Sequence, residues 1–164
     1  MALVMNDTDM KRMLEELCPE GETYTAMAWG TIMAGTAEVL ALGALSNIYC
    51  YIGVTQRSFI VAVLGTFDIS KINGKICLPF TGIESVKVKH GLIPSQRIIK
   101  LKAEGLKLKI SLVNNTITAK VKEQKQGIAG ICEALEKASR GAYEAGGKGA
   151  LYFATDICDG MAQG

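Results

Sequence analysis

The stretch from Tyr51 to Leu112 decides the fold, and its clearest part is its end, residues 97–112, which read RIIKLKAEGLKLKISL. Apolar and lysine side chains alternate with period two on each side of the Glu104-Gly105 pair. Such alternation is typical of strands with one buried face, and an acid-glycine pair between two alternating runs favours a hairpin turn. We therefore predict two antiparallel strands at Arg97–Ala103 and Leu106–Leu112.

Further strands are predicted on the N-terminal side of this hairpin. They cover residues 22–33, which are rich in Thr, Tyr and Trp, and residues 47–54, 58–64, 76–80 and 83–89. Residues 65–74 form a loop in this prediction. Pro79 cannot donate a backbone hydrogen bond, so we expect it at a sheet edge or at a strand end. Gly82 permits a tight turn before the next strand.

Helical periodicity appears near the start of the chain. Apolar side chains recur at i, i+3, i+4 and i+7, with charged residues between them, at Met10, Met13, Leu14 and Leu17. This pattern predicts a short amphipathic helix that begins near Asp7 and is stopped by Pro19.

A second apolar stripe with helical spacing follows Asn114-Asn115 and continues to Ala138. Gly127 weakens the middle of this stripe, so the helix is expected to begin as late as residue 123, and Gly141 is expected to end it. The predicted organisation is an N-terminal helix at residues 1–20, a β-rich domain at residues 21–140, and a glycine-rich tail at residues 141–164.

The segment from Ala26 to Ile48 carries a single charge, Glu38. As a transmembrane helix, its six branched apolar residues would contribute about −3 kcal/mol to insertion, and the central acid would cost about as much. We therefore disfavour a membrane-spanning helix. Residues 36–45 are instead expected to form an apolar insertion or a short helix that packs on the core or on another subunit. The candidate association surface consists of Met10, Met13, Leu14, Leu17, Val39, Leu40, Leu42 and Leu45.

No set of residues in the sequence is suited to catalysis or to metal binding. The single histidine, His90, lies beside a predicted strand end, and no group of acids accompanies it. Residues 141–148, GAYEAGGK, are out of register for a phosphate-binding loop. The cysteines are widely spaced without a C-x-x-C pair, which favours free thiols in a reducing compartment; they are Cys18, Cys50, Cys77, Cys132 and Cys158. Asp7 and Asp9 would interrupt a secretory leader. We expect a cytoplasmic, non-enzymatic protein without a cofactor.

Charge is segregated along the chain. From Ser85 to Lys125 there are nine lysines and one arginine against two acids, a net charge of +8, while the other residues carry eight basic and fourteen acidic side chains, a net charge of −6. Strand alternation places six lysines on one exposed face of three neighbouring strands. The candidate anionic-surface face consists of Lys87, Lys89, Arg97, Lys100, Lys102, Lys107 and Lys109.

Two interpretations of this face remain open. It can adhere weakly, and in a salt-sensitive way, to an anionic membrane, or it can be a solvated face that keeps the protein soluble. Nucleic acid is not expected as a partner because no aromatic residues are interleaved with these lysines.

Parts of the sequence resemble bacterial pleckstrin-homology (PH-like) domains. Residues 51–61, YIGVTQRSFIV, are similar to the second hairpin of that family, in which an apolar strand ends in Thr, passes a polar turn with Arg and resumes with apolar residues. Residues 78–88, LPFTGIESVKV, are similar to a strand-turn-strand segment of the family, and residues 98–112 resemble its last hairpin. Ser58 stands where the family usually has Arg. The resemblance covers residues 22–138.

The resemblance implies an α+β fold that is mainly β. It consists of a barrel of about seven antiparallel strands in two orthogonal sheets, capped by a C-terminal helix and preceded by an extra N-terminal helix. Members of the family oligomerise, some as closed rings. Phosphoinositide-binding PH domains use basic residues around the first hairpin loop, but residues 31–46 contain no Lys or Arg. We therefore predict a binding or scaffold module that self-associates or docks another protein. The alternative is peripheral binding to anionic membranes through the lysines.

Overall fold

The computed structural model describes residues 5–33, 48–65, 68–103, 105–114 and 119–144. Its strands are β1 (Met5–Asn6), β2 (Tyr24–Ile32), β3 (Ile48–Thr55), β4 (Ser58–Leu64), β5 (Ile72–Pro79), β6 (Ser85–His90), β7 (Arg97–Ala103), β8 (Leu106–Leu112) and β9 (Ala119–Lys120). The helices are α1 (Asp7–Leu17), α2 (Gln124–Glu144) and a 3₁₀ turn (Phe80–Gly82).

Seven of the strands form one antiparallel sheet in the order β5-β4-β3-β2-β8-β7-β6. β2 pairs with β3 along its length, but it pairs with β8 only at its end, where Thr31 is opposite Ser111 and Ile32 is opposite Ile110. The sheet therefore consists of a four-stranded half and a three-stranded half that share one short junction.

The inner faces of the two halves share a single apolar core. Phe59 and Val61 from the first half belong to the same buried cluster as Ile99 and Leu101 from the second half. The sheet must therefore bend over on itself, and α2 closes the opening with its buried face, which contains Ile128, Ile131, Cys132 and Leu135. The predicted fold class is confirmed in these terms: the fold is mainly β, with seven antiparallel strands in one sheet, a C-terminal helix and an N-terminal helix.

Two residues at the start of α2 fix the helix against β2. Gln124 is 1% exposed, and its side-chain amide donates hydrogen bonds to the carbonyl oxygens of Trp29 (2.8 Å) and Val113 (3.1 Å) while its oxygen accepts from the Trp29 N–H (3.0 Å). A Cβ on Gly127 would lie 1.8 Å from the carbonyl oxygen of Met27. The glycine thus allows a close approach of helix to strand, a role that its low helix propensity did not indicate.

A second apolar layer covers the outer face of the four-stranded half. Met10, Met13 and Leu14 of α1 are buried against the outer side chains of β2, β3 and β4, which include Tyr51 and Ile60. Asn6 caps α1, since its Oδ1 accepts a hydrogen bond of 2.8 Å from the Asp9 N–H. β1 and β9 pair in parallel at the side of this layer.

The structure corrects several predicted boundaries. β5 begins at Ile72, so the predicted loop 65–74 is too long, although Pro79 does end this edge strand as expected. Residues 119–120 form β9, which was not predicted, while the helix begins at Gln124, one residue after the predicted start near residue 123. Gly141 does not end α2, which continues to Glu144. The apolar segment 36–45 and the tail from residue 145 lie outside the described residues. Within the described ranges, no helix combines the length and the hydropathy needed to cross a bilayer.

Candidate anionic-surface site

Strand register aligns the lysines of the three-stranded half. Lys87, Lys100 and Lys109 are direct partners across β6, β7 and β8. Lys102 and Lys107 are partners in the neighbouring row of β7 and β8. Side chains directly opposite each other in a sheet lie about 5 Å apart at Cβ. The register therefore concentrates positive charge in rows that cross the strands.

These lysines lie on the outer face of the sheet. The residues between them, Val86, Leu101 and Leu108, are mutual partners across the strands and are buried in the core. The lysine side chains are exposed, apart from the half-buried Lys109. We refer to Lys87, Lys89, Lys100, Lys102, Lys107 and Lys109 as the lysine face.

The charges of this face influence one another. The proximity of Lys100, through a side-chain hydrogen bond and through charge repulsion, lowers the pKa of Lys89. No acidic residue of the described chain forms an ion pair with Lys87, Lys89 or Lys100. The sequence between Glu84 and Glu104 contains no acid that could neutralise the face. An anion that approaches these lysines would relieve their repulsion.

The outer faces of the two sheet halves differ in whether another element packs on them. On the four-stranded half, α1 covers the outer face and is buried there through Met13 and Leu14. On the three-stranded half, no described helix or strand covers Lys87, Lys100 and Lys102, which remain exposed. As far as the described residues show, the cationic half of the sheet is therefore open to a partner.

Arg97 does not belong to this face, contrary to the prediction. It has the same strand parity as Ile99 and Leu101 and is therefore on the inner side of β7. Its guanidinium donates hydrogen bonds to the carbonyl oxygens of Pro94 (2.9 Å) and Gln96 (3.0 Å). Burial raises the pKa of the Cys132 thiol in α2 to about 11, and the nearby Arg97 partly opposes this effect.

The candidate association surface is not present as predicted. Met10, Met13 and Leu14 are buried within the chain, because the outer face of the first sheet half offers them an apolar partner, and Leu17 packs at the edge of the same cluster. This part of the prediction is wrong. The other part lies outside the described residues and stays a prediction: Val39, Leu40, Leu42 and Leu45.

One group of ionisable side chains comes together in the described part of the chain, where Cys18, Tyr24 and Cys77 lie close enough to Glu22 to influence one another's pKa. His90 is exposed at the end of β6. Cys50 is buried and its pKa is raised by burial, while Cys77 is an exposed free thiol. No three His, Cys, Asp or Glu side chains among the described residues could hold a metal ion together.

Two grooves flank α2. One, of about 490 Å³, runs along β2 between the starts of α1 and α2, and its lining includes Tyr24, Lys11 and Glu123. The other, of about 550 Å³, lies between α2 and the β3–β4 turn, and its lining includes Thr55 and Lys137. Neither groove is lined by a histidine or a cysteine.

One exposed feature near the lysine face was missed by the sequence analysis. Leu92 and Ile93, in the loop between β6 and β7, are exposed large apolar side chains. The sequence does contain an indication of it. Two adjacent aliphatic residues lie between Gly91 and Pro94, in a segment that belongs to neither of the two predicted strands.

Comparisons with known proteins show a fold likeness at low identity. No protein-family model and no curated protein sequence matches the chain. The hSac2 domain from human phosphoinositide phosphatase Sac2 is similar in structure, with a TM-score of 0.51 and 11% identity over 80% of this chain and 79% of that chain.

Two further solved structures have lower scores. A C-terminal domain of an unknown protein from Leishmania infantum has a TM-score of 0.46 at 10% identity, over 77% of this chain and 94% of that chain. The DH/PH domains of PDZ-RhoGEF, solved with activated RhoA, have a TM-score of 0.42 at 13% identity, over 84% of this chain and 37% of that chain. At such identities, the likeness to the hSac2 domain concerns the fold alone.

Proposed function

We propose that this protein is a non-enzymatic, PH-like binding module that docks peripherally on anionic membranes through the lysine face. The observation that carries the proposal is the alignment of Lys87, Lys100 and Lys109 across three strands, on the sheet half that no described element covers. The motifs at residues 51–61 and 78–88 support a relationship to bacterial PH-like proteins, and a cytoplasmic setting would present the negatively charged leaflet to this face.

The geometry favours weak, salt-sensitive adhesion over binding of one small molecule. The lysines stand on a sheet surface and not in a pocket, and both grooves beside α2 are lined by residues outside the lysine face. Exposed ammonium groups attract an anionic surface within about one Debye length, roughly 8–10 Å at physiological salt. A flat, multivalent anion such as a lipid bilayer meets several lysines at once.

Vesicle flotation tests the proposal directly. Wild-type protein is expected to float with phosphatidylserine-containing vesicles at low salt and to be released at high salt, and it should not float with phosphatidylcholine vesicles. The variant that combines K100E, K102E, K107E and K109E should lose this binding.

The control carries the same charge change elsewhere. Lys11, Lys71, Lys75 and Lys125 are exposed and lie off the lysine face, so their combined reversal to Glu should retain binding to a large extent. If both quadruple variants lose binding equally, net charge and not the lysine face is responsible. If neither variant differs from wild type, the proposal is wrong.

Self-association through residues 36–45 is the second candidate. The sequence favours it, because Val39, Leu40, Leu42 and Leu45 accompany a single charge, Glu38. Light scattering on the pure protein should then give a mass above that of one chain, and L40S combined with L42S should reduce it. A monomeric wild-type protein would contradict this candidate.

A further inference from the structure

The loop between β6 and β7 presents apolar side chains to solvent beside the lysine face. Leu92 is 101% exposed and Ile93 is 49% exposed, whereas Ile99, on the next strand, is fully buried. A fully exposed leucine at a loop tip gains nothing from the fold of its own chain. Together with Ile93 and the adjacent lysine face, it is available to a partner that offers both an apolar phase and negative charge.

Hydrogen bonds hold the loop in this shape. The Gly91 N–H donates to the Gln96 carbonyl (3.0 Å), and the Gln96 N–H donates to the Ile93 carbonyl (3.0 Å). The Leu92 N–H donates to Gln96 Oε1 (2.9 Å), and Gln96 Nε2 donates to Ser111 Oγ on β8 (2.7 Å). Gln96 thus ties the loop to the sheet, and the apolar tip is displayed by a fixed backbone.

The loop stands at one end of the lysine rows. Lys89 is the lysine next to it on β6, and the row of Lys87, Lys100 and Lys109 follows two residues further from the tip. The row of Lys102 and Lys107 follows after two more residues. At a rise of about 3.4 Å per residue, these rows are roughly 7 Å apart.

From this arrangement we propose that the protein docks end-on, with Leu92 and Ile93 inserted into the apolar edge of an anionic bilayer. Lys89 then lies at the headgroups, the row containing Lys100 lies about 7 Å higher, and the row containing Lys102 lies about 14 Å higher. The inference rests on the function proposed above and adds to it an apolar anchor and an orientation.

A bilayer fits this tip better than a protein does. Two side chains on a convex loop cannot supply the roughly 800 Å² per partner that a specific protein interface needs. Insertion into lipid requires only apolar side chains with basic groups behind them. Lys89 provides the basic group next to the loop, and the stretch from Glu84 to Glu104 contains no internal acid that would repel the lipid headgroups.

Vesicle partitioning of an L92S and I93S double variant tests the anchor. Burial of a leucine or isoleucine side chain strengthens partitioning by about tenfold or more, so the double variant should bind phosphatidylserine vesicles about 100-fold more weakly. Tyr49, a further exposed large apolar residue at 39%, provides the control, since Y49S should bind as wild type does.

The lysine rows test the orientation. End-on docking predicts that K89E combined with K100E weakens vesicle binding several-fold more than K102E combined with K107E, because the second pair lies beyond one Debye length from the lipid. Equal losses from the two pairs would indicate a flat, face-on contact and would overturn the inference.

The outcomes separate the anchor from the proposed function. If the Leu92 and Ile93 variant binds vesicles as wild type does while the quadruple lysine variant does not, the function stands and the anchor is refuted. If wild-type protein ignores anionic vesicles altogether, both fail. If the double variant instead converts an oligomer to monomers with unchanged vesicle binding, the loop contacts a second copy and the inference is wrong.

Discussion

At the scale of single residues, Gln124 and Gly127 determine how α2 meets the sheet. β8 pairs with β2 only at Thr31 and Ile32, so it does not reach Trp29. The side chain of Gln124 instead forms hydrogen bonds with the N–H and the C=O of Trp29. Gly127 removes the side chain that would collide with the Met27 carbonyl. The sequence marked Gly127 only as a weak helix former and did not distinguish Gln124, because a single chain does not reveal which strand backbone a helix residue will contact.

The substitution Gln124→Met is expected to destabilise the protein by about 2–3 kcal/mol. It preserves side-chain length but leaves the Trp29 N–H and C=O without their side-chain partner in a buried position. Urea denaturation measures the loss. The same change at the exposed Gln126, Gln126→Met, is the control and should cost little; equal effects at the two positions would contradict the structural role of Gln124.

The substitution Gly127→Ala is expected to destabilise the protein by about 1–3 kcal/mol, although alanine has the higher helix propensity by about 1 kcal/mol. The added methyl group would force α2 away from β2. Ser139→Ala, at an exposed position of the same helix, should change stability little. A more stable Gly127→Ala protein would show that the close contact is absent.

At the scale of elements, period-two alternation predicted β6, β7 and β8 because one face of each is buried, whereas β3 and β4 are buried on both faces and were predicted from their apolar composition. The predicted start of β5 was too late because Asn73 and Gly74 are poor strand formers. In the structure, pairing with β4 overrides their low strand propensity. β9 consists of two residues that exist as a strand only through pairing with β1. The stripe of α1 was visible, but a stripe shows only that a helix has an apolar face and not what covers it.

The substitution Met13→Ala tests the position of α1. Met13 is fully buried between α1 and the sheet, so its truncation should cost about 2–4 kcal/mol in urea denaturation. Glu16→Ala, on the exposed side of the same helix, should have little effect. A Met13→Ala protein with unchanged stability and an altered oligomeric mass would instead support the association surface that the structure contradicts.

Tyr51 links β3 to the α1 layer and predicts an alkaline transition. Its hydroxyl accepts a hydrogen bond of 3.0 Å from the Asn6 N–H, and burial raises its pKa to about 12, above the ordinary value of 10. Its contribution to stability is therefore complete below about pH 10 and declines as the pH approaches 12. The free energy of unfolding, measured by urea denaturation at pH 8, 10 and 12, should decline less for Tyr51→Phe than for wild type. Parallel declines would contradict this burial.

At the scale of the whole molecule, the sequence predicted which lysines share a face but not what surrounds them. The alternation in β6, β7 and β8 placed the lysine face correctly, because register in a half-buried sheet follows from the apolar residues. Arg97 was misplaced because charge, and not strand parity, grouped it with the lysines. That α1 covers one outer face and leaves the other open depends on contacts between distant parts of the chain.

A map of backbone amide shifts with and without phosphatidylserine bicelles is the sharpest test of docking through the lysine face. We predict changes confined to the lysine face and residues 91–96, strongest near Leu92 and Lys89, and reversed by salt in the lysine rows. Changes centred on α1, or none at a lipid excess that saturates a basic control peptide, would contradict it.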